Sequence, residues 1–68
     1  MYEGTELQQL PPLLTIREVS RILRMTENAV YKMNNRGQLP GVVVLTSKRL
    51  RIRRDVLLKW IREGMPAL

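Results

Sequence analysis

The spacing of apolar residues at the start of the ordered sequence predicts two closely linked helices. Thr15 and Glu18 form a capping box, and the apolar positions that follow recur at helical spacing, which predicts a first helix over residues 16–23. Thr26 is a second N-cap residue, so only two residues separate the helices. Helices joined this closely cross steeply, as in a helix-turn-helix.

The second helix is amphipathic, with a polar outer face. Ala29, Val30 and Met33 fall on one side of it, and hydrogen-bonding side chains fall on the other. Gly37 is suited to the left-handed conformation that ends a helix, and Pro40 prevents an immediate restart. Such a polar face is what the reading of base edges in a DNA groove requires.

Apolar residues then alternate along two segments around residues 46–48, which predicts a β-hairpin with an apolar face and an arginine face. Asp55 marks the first turn of a third helix that Gly64 and Pro66 end. The predicted fold class is mainly α with a small β-hairpin: a winged helix-turn-helix with three helices and a two-stranded wing. The expected core is Ile16, Val19, Leu23, Val30, Met33, Val44, Ile52, Val56 and Trp60.

The 68 residues predict one small domain, with little room for a catalytic cavity. Residues 1–12 are polar, lack periodicity and end in two prolines, so we expect a flexible N-terminal arm. Residues 13–64 are expected to form the winged helix-turn-helix DNA-binding domain, and residues 65–68 a C-terminal tail.

The composition argues against several function classes. The sequence has no cysteine and no histidine, so disulfides, thiolate or imidazole metal sites and the usual nucleophile and base pairs are missing. We therefore expect no enzyme activity, no cofactor, no metal and no small-molecule ligand. The longest apolar run, residues 42–45, is too short to span a bilayer, and no signal segment is apparent, so a cytoplasmic location without a membrane partner is expected.

Positive charge is concentrated in the middle of the chain. The net charge is +6, but residues 15–54 alone carry ten basic and two acidic side chains, a net charge of +8. Such an excess favours a polyanionic partner, of which nucleic acid is the commonest. The sequence therefore predicts double-stranded DNA as the partner.

Candidate DNA-contacting residues are polar or basic positions on the second helix, on the wing and near the helix starts. Those on the second, recognition helix are Thr26, Asn28, Ala29, Tyr31, Lys32, Asn35 and Arg36. Those on the wing are Ser47, Lys48, Arg49 and Arg51, and further contacts to the DNA backbone are expected from Thr15, Arg17, Arg24 and Arg53. Asparagine pairs with adenine and lysine donates to guanine, whereas arginine on a wing holds phosphate or enters a minor groove.

Two positions allow alternative interpretations. The Tyr31 hydroxyl either bonds a phosphate or its ring covers the hairpin. Glu27 either accepts a hydrogen bond from a cytosine amino group or, as we favour, serves only the helix dipole. The wing cations also have a simpler interpretation, as a solvated edge that prevents strand aggregation.

The order and spacing of several segments resemble the excisionase-type (recombination directionality factor) DNA-binding domain of the MerR-like winged helix-turn-helix superfamily. The resembling segments are Leu14-Thr15-Ile16-x-Glu18-Val19, Thr26-x-x-Ala29-Val30-Tyr31-Lys32, Arg36-Gly37-x-Leu39-Pro40, Arg51-Ile52-Arg53-Arg54-Asp55-Val56 and Trp60-Ile61. The resemblance implies that the second helix enters the major groove and that the wing contacts the adjacent backbone or minor groove. This sequence departs from the family pattern at three positions. Ala29 stands where threonine is frequent, Leu50 where an aromatic residue is frequent, and Val43 where a polar residue is usual.

The resemblance implies an architectural protein that associates with itself on repeated DNA sites, bends DNA and directs an integrase to excise a mobile element in a bacterial or phage-encoded system. A small MerR-like transcriptional regulator is the alternative within the same class. The long dimerisation helix and effector domain of the MerR regulators are not present in these residues, so we do not expect a sensor. A membrane-surface or protein-interaction module is the alternative from a different class, but the charge lies away from the amphipathic third helix.

Overall fold

The structure, a computed structural model, describes residues 10–68. The predicted fold class is confirmed, since three helices and a hairpin wing form a winged helix-turn-helix. The elements in chain order are β1 (Leu13–Leu14), α1 (Ile16–Leu23), α2 (Glu27–Asn35), β2 (Val42–Thr46), β3 (Arg49–Arg53) and α3 (Arg54–Arg62). Residues 1–9 of the expected arm lie outside the described residues.

The helix-turn-helix is fixed by local caps. In the capping box of α1, the Glu18 amide donates to Thr15 Oγ1 at 3.1 Å, and the Thr15 amide donates to Glu18 Oε1 at 3.0 Å. Helix α1 ends at Arg24, which adopts a left-handed conformation with φ 58°. The Ala29 amide then donates to Thr26 Oγ1 at 3.1 Å, which starts α2 after two residues. These caps satisfy backbone groups that helix ends leave unpaired.

The sheet contains one strand more than the sequence predicted. Its order is β1-β3-β2, and both pairs are antiparallel. Ile52 on β3 pairs with Leu14 of β1 on one side and with Val42 of β2 on the other. A strand of two residues is too short for alternation to reveal it, and only its pairing with β3 defines it.

The core lies between the helices and one face of the sheet. Its buried apolar residues are Leu14, Ile16, Val19, Val30, Leu39, Ile52, Leu57 and Trp60. Three residues of the expected core, Leu23, Met33 and Val56, are only half-buried. The prediction for Val44 is wrong, because its side chain is 67% exposed. It pairs with Leu50 in the outer half of the hairpin, where the strands extend beyond the buried part of the sheet.

Both ends of the described chain are attached to α3. The Arg54 side chain donates to the Leu10 carbonyl at 2.6 Å, and its amide donates to the Pro12 carbonyl at 2.9 Å. After the helix, Gly64 takes φ 86° and the chain turns back, so that Trp60 Nε1 donates to the Pro66 carbonyl at 2.8 Å. Within residues 10–68, no helix has the length and hydropathy to cross a membrane.

Candidate nucleic-acid interface

Helix α2 presents a stripe of polar side chains to solvent. Asn28, Lys32 and Asn35 are all exposed, and their spacing of four and three residues keeps them within roughly 60° of one another around the helix axis. Val30 on the opposite side is fully buried, so the rotation of the helix is fixed by the core. We call Asn28, Lys32 and Asn35 the reading stripe. Its short amide side chains and single cation suit hydrogen bonding to base edges.

A shallow groove of about 220 Å³ separates α2 from the wing. We call it the wing groove, and its lining residues are Thr15, Ile16, Arg17, Glu27, Tyr31, Lys48, Arg49, Leu50 and Arg51. It therefore brings together four cationic side chains from α1 and the wing with two side chains of α2. Arg17 is distant in sequence from the three wing cations, and the packing of α1 against β3 makes them neighbours. The concentration of positive charge fits a phosphate backbone.

Tyr31 and Glu27 line the wing groove on the α2 side. They are four residues apart and so share one helix face, adjacent to the reading stripe. Tyr31 keeps 44% of its surface exposed while it lies beside the wing. No ion pair is found for Glu27 within the described part of the chain, although four cations line the same groove. The sequence signal for Glu27 was its spacing of four residues from the candidate Tyr31, which places both side chains on one face of α2.

The two threonine candidates differ in whether the hydroxyl proton is free to donate a further hydrogen bond. Thr15 Oγ1 donates to Glu18 Oε1 at 3.1 Å and also accepts from the Glu18 amide, so its proton is committed within the capping box. Thr26 Oγ1 accepts from the Ala29 amide, and this leaves its proton free to donate. Thr26 is exposed at the start of α2. Of the two, Thr26 is therefore better placed to donate a hydrogen bond to a phosphate.

The wing candidates occupy the turn end of the hairpin. Ser47, Lys48 and Arg49 are exposed there, and the Lys48 amide donates to Thr46 Oγ1 at 3.3 Å, which tightens the turn. Arg51 is half-buried, and its Nη1 donates to the Leu50 carbonyl at 2.8 Å. This bond holds the guanidinium close to its own strand, and the other guanidinium donors can still approach a phosphate.

Four further candidates lie outside the lining of the wing groove. Arg53 ends β3, roughly 13 Å along the strand from Arg49 at the usual rise per residue. Arg24 occupies the turn between α1 and α2, and Arg36 follows the last residue of α2. Ala29 is half-buried on α2. The structure thus groups Arg17 with the wing cations and leaves Arg24, Arg36 and Arg53 at separate positions.

A model of the helix-turn-helix domain matches residues 13–65, which span all the helices and strands of the structure. The chain belongs to this family. It is a DNA-binding domain family that includes excisionase-like proteins. Comparison with curated proteins and with solved structures finds no match.

Membership of the helix-turn-helix family agrees with the chemistry of the exposed surface. The family supports DNA as a partner of this domain. In residues 10–68, no group of three or more metal-ligating side chains occurs. Apart from the carboxylate of Glu27, the side-chain polar groups exposed around α2 and the wing are amides, hydroxyls and cations, which hydrogen bond to bases and phosphates.

Proposed function

We propose that this protein is a sequence-specific, double-stranded DNA-binding architectural protein of the excisionase type, without enzymatic activity. The observation that carries the proposal is the position of the exposed reading stripe beside the cationic wing groove. One surface thereby offers base-reading amides and phosphate-binding cations together. Base contacts specify a sequence, and phosphate contacts fix the protein on the duplex.

In this proposal the reading stripe lies in the major groove. Asn28 and Asn35 pair with adenine through two hydrogen bonds each, and Lys32 donates to guanine, and each good pair contributes about 1 to 3 kcal/mol of discrimination. Val30, buried beneath the stripe, keeps α2 at a fixed rotation. The side chains therefore reach the bases without a large ordering cost.

The wing and the helix starts hold the DNA backbone in this proposal. Residues of the wing groove, chiefly Arg17, Lys48, Arg49 and Arg51, face phosphates or the adjacent minor groove. Thr26 and Ser47 donate hydroxyl protons at the two ends of the interface, and Tyr31 donates between them. Further contacts to the backbone come from Arg24, Arg36 and Arg53. Thr15 lines the wing groove, but its hydroxyl and amide both donate to Glu18, so it holds the start of α1 rather than a phosphate.

We further propose that several copies bind adjacent repeated sites, bend the DNA and direct an integrase. A single module of this size buries little surface and makes few base contacts, so affinity must come from neighbours on the DNA. The excisionase-like members of the family support this assignment. The expected free protein is at most a weak dimer.

The first experiment selects bound sequences from a random duplex library and then titrates single variants against the selected site and a random duplex. Asn28→Ala and Lys32→Ala are expected to weaken the selected site by about 1 to 3 kcal/mol and to leave random binding nearly unchanged. Arg49→Ala is expected to weaken both duplexes and to reduce the slope of log affinity against log salt by about one unit.

Lys59→Ala is the matched control. This substitution removes one positive charge from an exposed position on α3 that does not line the wing groove. It is expected to change random binding far less than Arg49→Ala does. The proposed interface is wrong if the stripe variants weaken both duplexes equally while Arg49→Ala changes neither.

The second experiment compares one, two and three tandem copies of the selected site in gel shifts. An integrase excision assay is then run on a mobile element that carries these sites. Affinity per site is expected to rise with copy number, and excision is expected to depend on the protein. Equal affinity per site would contradict cooperative assembly. Cooperative binding that leaves excision unchanged but alters transcription would favour a small MerR-like regulator.

A further inference from the structure

Two consecutive apolar side chains are exposed at the turn end of the wing. Val44 is 67% exposed and Leu45 is 49% exposed. The exposed fraction of Val44 is larger than that of any other large apolar residue in the described helices and strands. We call Val44 and Leu45 the apolar wing tip. Because these two exposed apolar residues are adjacent and lie at one projecting end, they form a continuous apolar patch, which is a candidate contact surface.

A β-bulge sets the arrangement of the apolar wing tip. Val44 pairs with Leu50 and Thr46 pairs with Arg49, so Leu45 is the extra residue without a partner on β3. A bulge interrupts the alternation of the strand and redirects a side chain. Leu45 is therefore turned out of the regular ladder, and Val44, the last regularly paired residue before it, is also exposed. Neither residue covers the core as Val30 and Leu57 do.

The surroundings of the apolar wing tip indicate the chemistry of its partner. Lys48 and Arg49 follow it across the turn, and Val44 lies opposite Leu50, which itself lines the cationic wing groove. A second copy of this chain would bring a net charge of +6 against the same cations. Two side chains are also a small anchor for a lipid surface. Charge complementarity therefore favours an apolar contact within a polyanion, which is DNA.

We propose that Val44 and Leu45 form a wedge that enters the minor groove beside the sequence read by α2 and partly unstacks one base step. This inference rests on the proposed function. Apolar side chains between bases leave water, and cations on the same hairpin neutralise the flanking phosphates. The wedge bends the duplex toward the major groove, which brings more of the DNA onto the domain.

The test uses the full chain and a duplex with fluorophores at both ends that contains the selected site, and it measures the bend by energy transfer. A 2-aminopurine base at each step beside the site reports unstacking. The wild-type protein is expected to bend the duplex by roughly 20 to 90° and to raise the fluorescence of one 2-aminopurine. The double variant Val44→Thr, Leu45→Thr places polar, β-branched residues, which strands favour, at both positions and is expected to bend the duplex by less than about 20°.

Two further variants control the comparison. Leu13→Thr makes the same kind of change at a 41% exposed strand leucine on the opposite edge of the sheet, and it is expected to bend DNA like the wild type. Leu45→Met keeps an apolar side chain of similar volume and is expected to retain the bend. Circular dichroism verifies that each variant is folded, and if the double variant does not fold, Leu45→Thr alone is compared with Leu45→Met.

Each outcome decides the proposal. A reduced bend and a lost 2-aminopurine signal at retained binding support the wedge. Binding with an unchanged bend overturns the wedge and leaves the proposed function intact, whereas failure of the wild type to bind any duplex overturns both. If the double variant instead loses self-association in sedimentation, or loses binding to anionic vesicles, while the bend is unchanged, the tip contacts a second copy or a lipid and the wedge is wrong.

Discussion

Gly37 and Gly41 offer a direct test of how the wing is attached to the helices. Both have a left-handed backbone, with φ of 68° and 72°. A Cβ added at Gly37 would have no heavy atom within 4 Å. A Cβ added at Gly41 would lie 3.0 Å from Val56 Cβ and 3.1 Å from Val56 Cγ1. The pair therefore separates backbone strain from a steric clash.

The expected costs follow from these surroundings. Alanine in a left-handed conformation costs about 1 to 2 kcal/mol, and the reduced entropy of the unfolded chain returns about 0.4 to 1 kcal/mol, so Gly37→Ala is expected to cost about 1 kcal/mol. Gly41→Ala adds overpacking of about 1 to 3 kcal/mol. Val56 Cβ is bonded to the α3 backbone and cannot rotate away. Separation of the two segments would also stretch the bond from the Arg53 amide to the Gly41 carbonyl, now 2.8 Å.

The assay is urea unfolding followed by the fluorescence of Trp60, the single tryptophan. A chain of this length has a free energy of unfolding of about 3 to 10 kcal/mol, so the two variants are expected to be clearly resolved. Gly41→Ala is expected to be less stable than Gly37→Ala by about 1 to 3 kcal/mol at a similar m-value. Equal midpoints would refute the close approach of the loop to α3.

Three other substitutions probe the fold and the groove. Trp60→Ala is expected to cost about 3 to 5 kcal/mol, because the ring is 7% exposed and its indole holds the C-terminal tail, and a cooperative thermal transition near the wild-type temperature by circular dichroism would contradict this. Arg24→Gly relieves a left-handed backbone and is expected to raise the free energy of unfolding by about 0.5 to 1 kcal/mol in urea, so a lower midpoint would argue against strain there. Glu27→Gln removes the carboxylate from the cationic groove and is expected to raise affinity for random duplex about two- to fivefold at low salt, whereas unchanged affinity would place Glu27 away from phosphate.

The sequence by itself determined the elements whose signals are local. The capping box at Thr15, the N-cap at Thr26 and the left-handed glycine after α2 are hydrogen-bonding and backbone preferences of a few neighbouring residues. For this reason the predicted first helix, residues 16–23, agrees with α1 as observed. The polar stripe of α2 was likewise readable, since helical periodicity assigns its face once the helix is known.

Tertiary structure alone decided which residues meet across the sheet and around the wing. Strand β1 exists only through its pairing with β3, and Leu14 is buried by that pairing. Alternation predicted that Val44 faces the core, but Val44 is 67% exposed. Alternation gives the face of a strand residue, and it cannot show that the core ends before the hairpin does. Glu27 lies among cations from α1 and the wing because those elements converge in space. Sequence patterns specify the direction of a side chain relative to its own element, whereas burial and charge environment depend on what packs opposite, and only the folded chain fixes that.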